Sequence, residues 1–285
     1  MNASREIIQA LHRAAELNRQ DPLLSGSVME FPAYGQLVVT GDLHGHRRNF
    51  AKLKKFCDLA NAPGRHVMLH ELIHEEPTTW DAPDTSYELL FEAVRWKCEF
   101  PDQVHFLQSN HELAQLTGHE IAKNGRIATY EFERSIHQAF ERDGGDVLAG
   151  IAVFLRSLPL AGRTTTSVFI SHSLPSPRDL GRFDPTVFQR TPTDADLVEP
   201  GSAYSLVWGR YQTAEELEAL RRMLACEWFI CGHQPQEMGY DVLHERMIIL
   251  ASDHNHGTFL PLDLSRRPTR IEDLSSRIRK FAEIA

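Results

Sequence analysis

The sequence is poor in cysteine, lacks any long apolar run and has no excess of positive charge. Its four cysteines, Cys57, Cys98, Cys226 and Cys231, include no CxxC pair, and each falls within an apolar helix or strand pattern. They read as buried thiols ahead of zinc ligands. No stretch approaches the ~20 apolar residues that a membrane-spanning helix needs, and the N-terminal MNASREIIQALHRAAELNRQ lacks the apolar core of a secretory signal. The expected setting is the cytoplasm, with no membrane partner. A net charge of −9 and a pI near 5.9 leave no basic footprint for general nucleic-acid binding. Internal repeats and low-complexity linkers are absent as well.

What remains is the composition of a soluble globular protein: 285 residues, 42% hydrophobic and 24% charged. That length suits one domain over residues 1–285 with embellishments. A strand pattern repeatedly runs into polar residues and then into a helix. Residues 36–40 (QLVVT) lead into GDLHGH, after which Phe50, Leu53, Cys57 and Ala60 fall at helical spacing. Residues 66–69 (HVML) lead into HELIHEE, then Tyr87, Leu90, Phe91, Val94 and Cys98 mark a second helix, and residues 103–107 (QVHFL) lead into QSNHE. Three more strand patterns follow, at 167–173, 227–235 and 246–256. This alternation predicts an α/β fold with a largely parallel sheet, whose polar strand ends converge on one crevice. Residues 1–34 read as an N-terminal helical extension, 113–158 as a helical, cap-like insertion, and 174–205, rich in Pro, Ser, Asp and Thr, as a surface loop.

The strand ends carry an unusual set of side chains. They supply Asp42 and His44, then Glu71 and His74, then Asn110, His111 and Glu112, then His172, and last His233. A divalent cation replaces its water shell with oxygen and imidazole lone pairs, and separate strand ends can present them to one point. A single strand-end histidine is more often structural, but five such clusters in one topological position point to a metal site.

In these residues the chain resembles the phosphoprotein phosphatase branch of the calcineurin-like metallophosphoesterases. GDLHG at 41–45, SNHE at 109–112, SH at 171–172 and GHQP at 232–235 follow the order of that family's GDxHG, GNHE, strand-terminal His and GHxP motifs, over roughly residues 36–260. The resemblance implies a four-layer α/β/β/α sandwich and hydrolysis of phosphate monoesters, such as phosphoserine or phosphothreonine, at two divalent metal ions. Manganese is the first expectation, with iron or zinc as alternatives. It implies Asp42, His44 and Glu71 as ligands of one ion, and Glu71, Asn110, His172 and His233 as ligands of the other. It also implies His111 as general acid with Glu112 beside it, and Asn110 and Arg210 (in SLVWGRY, 205–211) as contacts to a phosphorylated substrate.

HELIHEE departs from the family's GDxVDRG. Glu71 stands at the bridging Asp, His74 at the Asp that orients the catalytic histidine, and Glu75 at a phosphate-binding Arg. Glu75 or Glu76 is therefore the candidate that inherits the orienting of His111, and His74 is the alternative candidate for an extra ligand. A nucleotide or dinucleoside polyphosphate hydrolase shares the motif series, and the altered second motif supports a third reading, a metal-binding pseudophosphatase that recognises phosphorylated partners. In DHNHG (253–257), Asp253, His254 and His256 are either substrate contacts or a polar turn. The oligomeric state has no signature in the sequence.

Overall fold

The computed structural model describes residues 3–76, 79, 82–123 and 125–284. Two β-sheets pack face to face. One has five strands, in the order Arg279–Lys280, Thr258–Asp263, Gln36–Asp42, Arg65–His70 and Val104–Phe106, with the last three parallel. The other has seven, in the order Leu24–Ser25, Val28–Phe31, Ala161–Thr164, Val168–Ser171, Trp228–Cys231, Met247–Leu250 and Tyr240–Leu243.

Period-two alternation sorts their side chains into three cores. Leu37, Val39, Met68, Ile170, Ile230, Ile248 and Leu250 fill the space between the sheets. The residues between them point the other way. Val38, Val67 and Leu69 meet helices on the outer face of the five-stranded sheet, and Phe169, Phe229, Cys231 and Ile249 meet Leu206, Leu217 and Leu220 of helices Ser202–Trp208 and Ala214–Leu224 on the outer face of the other. The result is the expected four-layer α/β/β/α sandwich. All four cysteines carry unpaired thiols, three of them buried and Cys98 half-buried.

Three segments differ from expectation. The 1–34 segment is not an appended extension: helix Ala3–Arg19 buries Ile7, Leu11 and Ala14 at one helical face, and Val28–Phe31 is a strand of the larger sheet. The 113–158 segment is not a cap. Phe132 and Ile136 of helix Ala128–Phe140, with Val147, Ile151 and Phe154 of helix Gly144–Leu155, belong to the core that includes Ile7 and Leu11. The 174–205 segment is anchored where a surface loop was expected, because Leu174, Phe183, Val187, Phe188 and Leu197 are buried beneath the second helical layer. Met1, Asn2 and Asn124 of these segments lie outside the described residues.

At the carboxyl ends of strands Gln36–Asp42 and Met247–Leu250 the two sheets are stitched together. Asp42 forms a parallel bridge with Ala251, the Ser252 N–H donates to the Asp42 carbonyl (3.0 Å), and the Gly41 N–H donates to Ser252 Oγ (2.9 Å). The carboxyl ends of both sheets therefore open on the same side.

Candidate metal centre

Asp42 ends its strand, and the next residues turn sharply under the backbone of the neighbouring strand end. The N–H groups of Leu43 and His44 both donate to the Glu71 carbonyl (2.9 Å each), and that of Gly45 donates to the Leu72 carbonyl (2.9 Å). His44, Glu71, His74 and His233 all adopt positive φ, at 39°, 37°, 64° and 70°. Left-handed backbone at non-glycine residues costs of order 1–3 kcal/mol each and gathers where a site dictates side-chain direction.

Asn110, His111 and Glu112 open helix Asn110–Thr117, capped by Ser109. Asn110 Oδ1 lies 2.7 Å from His172 Nε2 and 2.9 Å from His233 Nδ1, and those two nitrogens are 3.2 Å apart. Glu71 Oε1 is 3.6 Å from the same His172 nitrogen and accepts from the His111 N–H at 3.2 Å. On the other side of Glu71, Oε2 is 3.3 Å from His44 Nε2, whose ring is fixed by Nδ1 against the Ile73 carbonyl (2.9 Å). Asp42 accepts the His233 N–H on both carboxylate oxygens (3.0 and 2.8 Å) and lies 3.6 Å from His172 Nδ1. The structure thus gathers Asp42, His44, Glu71, Asn110, His111, His172 and His233 at one place.

This donor set fits divalent cations. Ligands ~2.0–2.2 Å from an ion sit ~3–3.5 Å from one another, close to the spacings here. Glu71 is flanked by oxygen and nitrogen donors on both sides, as a bridging carboxylate must be. Burial holds Asp42 up at about 7, despite the His233 N–H that favours its charged form. Burial, with Asp42 and Glu112 nearby, pushes Glu71 well above the ordinary carboxylate range. Burial keeps the imidazoles neutral: His233 is lowered to about 3 and His172 well below its usual value. Buried carboxylates that resist ionising among neutral imidazoles are an environment that positive charge would relieve.

The remaining expectations resolve residue by residue. His74, weighed as an extra ligand, has both ring nitrogens engaged elsewhere: Nδ1 lies 2.9 Å from His111 Nδ1, and Nε2 lies 2.9 Å from Gln115 Oε1. It therefore stands against His111, where Glu75 or Glu76 was expected. Glu75 accepts from Thr85 Oγ1 (2.7 Å) and Thr85 N–H (3.3 Å) instead. Glu112 was expected to be catalytic, but its carboxylate accepts from the Leu72 N–H (2.6 Å) and the Ser109 hydroxyl, so it ties the Glu71–His74 turn to the helix. Arg210 is half-buried at the edge of the site, with Nε donating to His233 Nε2 (2.9 Å) and Nη2 to the His233 carbonyl (3.3 Å).

Two residues were given no role by the sequence reading. Gln115 follows His111 by four residues, one helical turn on the same face, and its Nε2 donates to Glu133 Oε1 (3.1 Å). His70 ends strand Arg65–His70 beside Asp42 and is fully buried. Above the centre opens a cavity of about 580 Å³, lined by His44, His46, Glu75, Glu76, Pro235, Gln236, Glu237, Asp253 and His254. Of the DHNHG stretch, Asp253 and His254 therefore reach the cavity, whereas His256 is exposed.

No protein-family model matches the chain, and no curated protein sequence does. Among solved structures it is similar to a protein serine/threonine phosphatase from Saccharomyces cerevisiae with similarity to human phosphatase PP5. The TM-score is 0.69 at 16% identity, over 92% of this chain and 84% of that one. It is also similar to the cold-active protein-tyrosine phosphatase of a psychrophile, Shewanella sp., with a TM-score of 0.61 at 16% identity, over 88% and 80% of the two chains. The chain has the fold of these protein phosphatases, the phosphoprotein phosphatase fold that the order of its motifs implies.

Proposed function

We propose that this chain is a dinuclear metal-dependent phosphatase acting on phosphate monoesters, with phosphorylated side chains of proteins as the first substrate class. The observation that carries the reading is a buried carboxylate, Glu71, with His44 at one oxygen and, at the other, His172, which is clustered with Asn110 and His233. Asp42, His44 and Glu71 would hold one ion, and Glu71, Asn110, His172 and His233 the other. Bound there, two divalent cations would polarise the phosphoryl oxygens and lower the pKa of an attacking water.

The protein's own groups then have definite tasks. The Gln115 amide is oriented by Glu133, so its Oε1 faces His74 and accepts a hydrogen bond from His74 Nε2–H. His74 Nδ1 is consequently an acceptor, and His111 Nδ1–H donates to it. With its Nδ1–H held by His74, a second proton on Nε2 makes His111 an imidazolium, and that Nε2 proton is the one delivered to the leaving alcohol. Arg210 binds the phosphate. With its Nδ1 lone pair given to a cation, His233 would carry its proton on Nε2, which would release Arg210 Nε from that nitrogen and leave the guanidinium for phosphate oxygens.

The cavity rim favours monoesters over polyphosphates. Glu75, Glu76, Glu237 and Asp253 line the approach where the resembled motif would place an arginine, and that field repels a polyanion while attracting cationic flanks. The test is hydrolysis by the metal-loaded protein of phosphoserine, phosphothreonine and phosphotyrosine peptides with Lys/Arg or Asp/Glu flanks, beside p-nitrophenyl phosphate and a dinucleoside tetraphosphate. Turnover led by the basic-flanked peptides is expected, and a preference for the tetraphosphate would overturn the monoester assignment. Binding of phosphopeptides without turnover would make the chain a pseudophosphatase.

A further inference from the structure

His70 has no part in the site as the resembled motif builds it, because GDxVDRG carries glycine at that position. Here the position bears a fully buried imidazole. Neither of its ring nitrogens has a hydrogen-bond partner among the described residues. Its place is set by register: His70 and Asp42 are paired across adjacent parallel strands, so their side chains leave the sheet on the same face. His172 arrives from the facing sheet, its ring centroid 6.1 Å from that of His70. Asp42, His70 and His172 each offer one ligand atom within 4.8 Å of the others. Gly232 leaves room for the cluster, since a Cβ there would collide with Asp42 Oδ1 and stand 3.4 Å from His70 Nδ1.

A buried polar group without a partner is rare, and it calls for a ligand, an ion or a water. An apolar side chain would fill the same space without unsatisfied nitrogens. We infer that His70 is a metal ligand particular to this chain, joining Asp42 to hold the ion on the Asp42 side of the centre, while His172 keeps its Nε2 beside Asn110 for the other ion. The inference rests on the metal-centre reading above and adds a ligand to it. One more neutral imidazole makes that position richer in nitrogen, which favours zinc over manganese.

The direct test uses the parent chain, so it does not depend on the folding of a variant. Crystals of the zinc-loaded protein should show an anomalous peak ~2.0–2.1 Å from a His70 ring nitrogen. Competition against a chelator supplies the second readout. In His70→Gln the tightest zinc equivalent should weaken by at least the ~10–100-fold that losing a supporting side chain costs at metal sites, with a smaller change for manganese. Two ions bound with the His70 ring beyond ~3 Å of both, or zinc affinity unchanged in His70→Gln, would overturn this inference and leave the dinuclear centre standing. A parent chain that binds no divalent ion would overturn both.

Discussion

The most instructive substitution is His74. A carboxylate at this position would orient His111 by charge, whereas a neutral imidazole can do so only through the direction of its lone pair. Burial holds His74 down to about 3, so it stays neutral and its orientation depends on Gln115 and Glu133. Two predictions follow from these contacts. His111→Asn should retain its metal and slow hydrolysis of alkyl phosphates by ~10²–10⁴-fold, with a smaller loss on p-nitrophenyl phosphate, whose leaving group hardly needs a proton. Equal losses on the two substrates would remove His111 from the acid's role. Arg210→Ala removes a charge-assisted contact of ~1.5–3 kcal/mol, so kcat/KM should fall roughly 10–150-fold with metal content unchanged. Undiminished turnover would leave Arg210 as a partner of His233 alone. The ligand candidates were legible because each motif ends a strand, but His70 and Gln115 were not. His70 reads as the last residue of an apolar strand until its unpartnered nitrogens are located, and Gln115 gains meaning only through a contact to His74, 41 residues away in sequence.

The strands themselves were legible because alternate residues face different cores: Leu37 and Val39 one way, Val38 the other. The helical insertion was misread because helix Gly144–Leu155 is apolar on most of its surface, and its pattern does not say whether it covers a cleft or a sheet. In the 174–205 segment the polar majority hid five anchors, Leu174, Phe183, Val187, Phe188 and Leu197. At the opposite ends of the parallel strands lies a buried ionic cluster that no motif announced. Asp21 Oδ2 lies 3.2 Å from Lys97 Nζ and 3.1 Å from His105 Nδ1, and His105 Nε2 lies 3.1 Å from His66 Nδ1. Burial would raise Asp21, but the His105 hydrogen bond and the charge of Lys97 outweigh it and hold the carboxyl near about 2. Burial lowers His105 to about 4. The folded chain thus keeps His105 neutral down to about 4, while an unfolded chain protonates it near 6.5. Between those values the unfolded state binds more protons, so stability falls as pH falls, by about 3 kcal/mol from this residue. The Asp21 contribution is present above 3.8 and is lost only as pH approaches 2. His105→Gln, neutral at every pH, should therefore lose less Tm than the parent between pH 6.5 and 4. Identical pH profiles for the two chains would show that His105 does not carry this dependence.

The four layers have one consequence for the chain as a unit: two sheets, stitched at Asp42 and Ala251, present the carboxyl ends of their strands to a single opening. Residues 191 apart in sequence meet there, the His233 backbone N–H donating to both Asp42 carboxylate oxygens (3.0 and 2.8 Å). The net charge of −9 and the acidic rim give that opening a field suited to holding cations and to approaching substrates with positive flanks. No helix among the described residues is long and apolar enough to cross a membrane. The central claim is that this convergence makes a two-metal centre bridged by Glu71, and metal content per chain tests it most directly. Mass spectrometry of metals in the parent and in Glu71→Gln, which keeps the side-chain shape and removes the bridging charge, should find two equivalents in the parent. In the variant it should find no more than one, with hydrolysis lost alongside. Two metals per chain in Glu71→Gln, or none in the parent, would contradict the account.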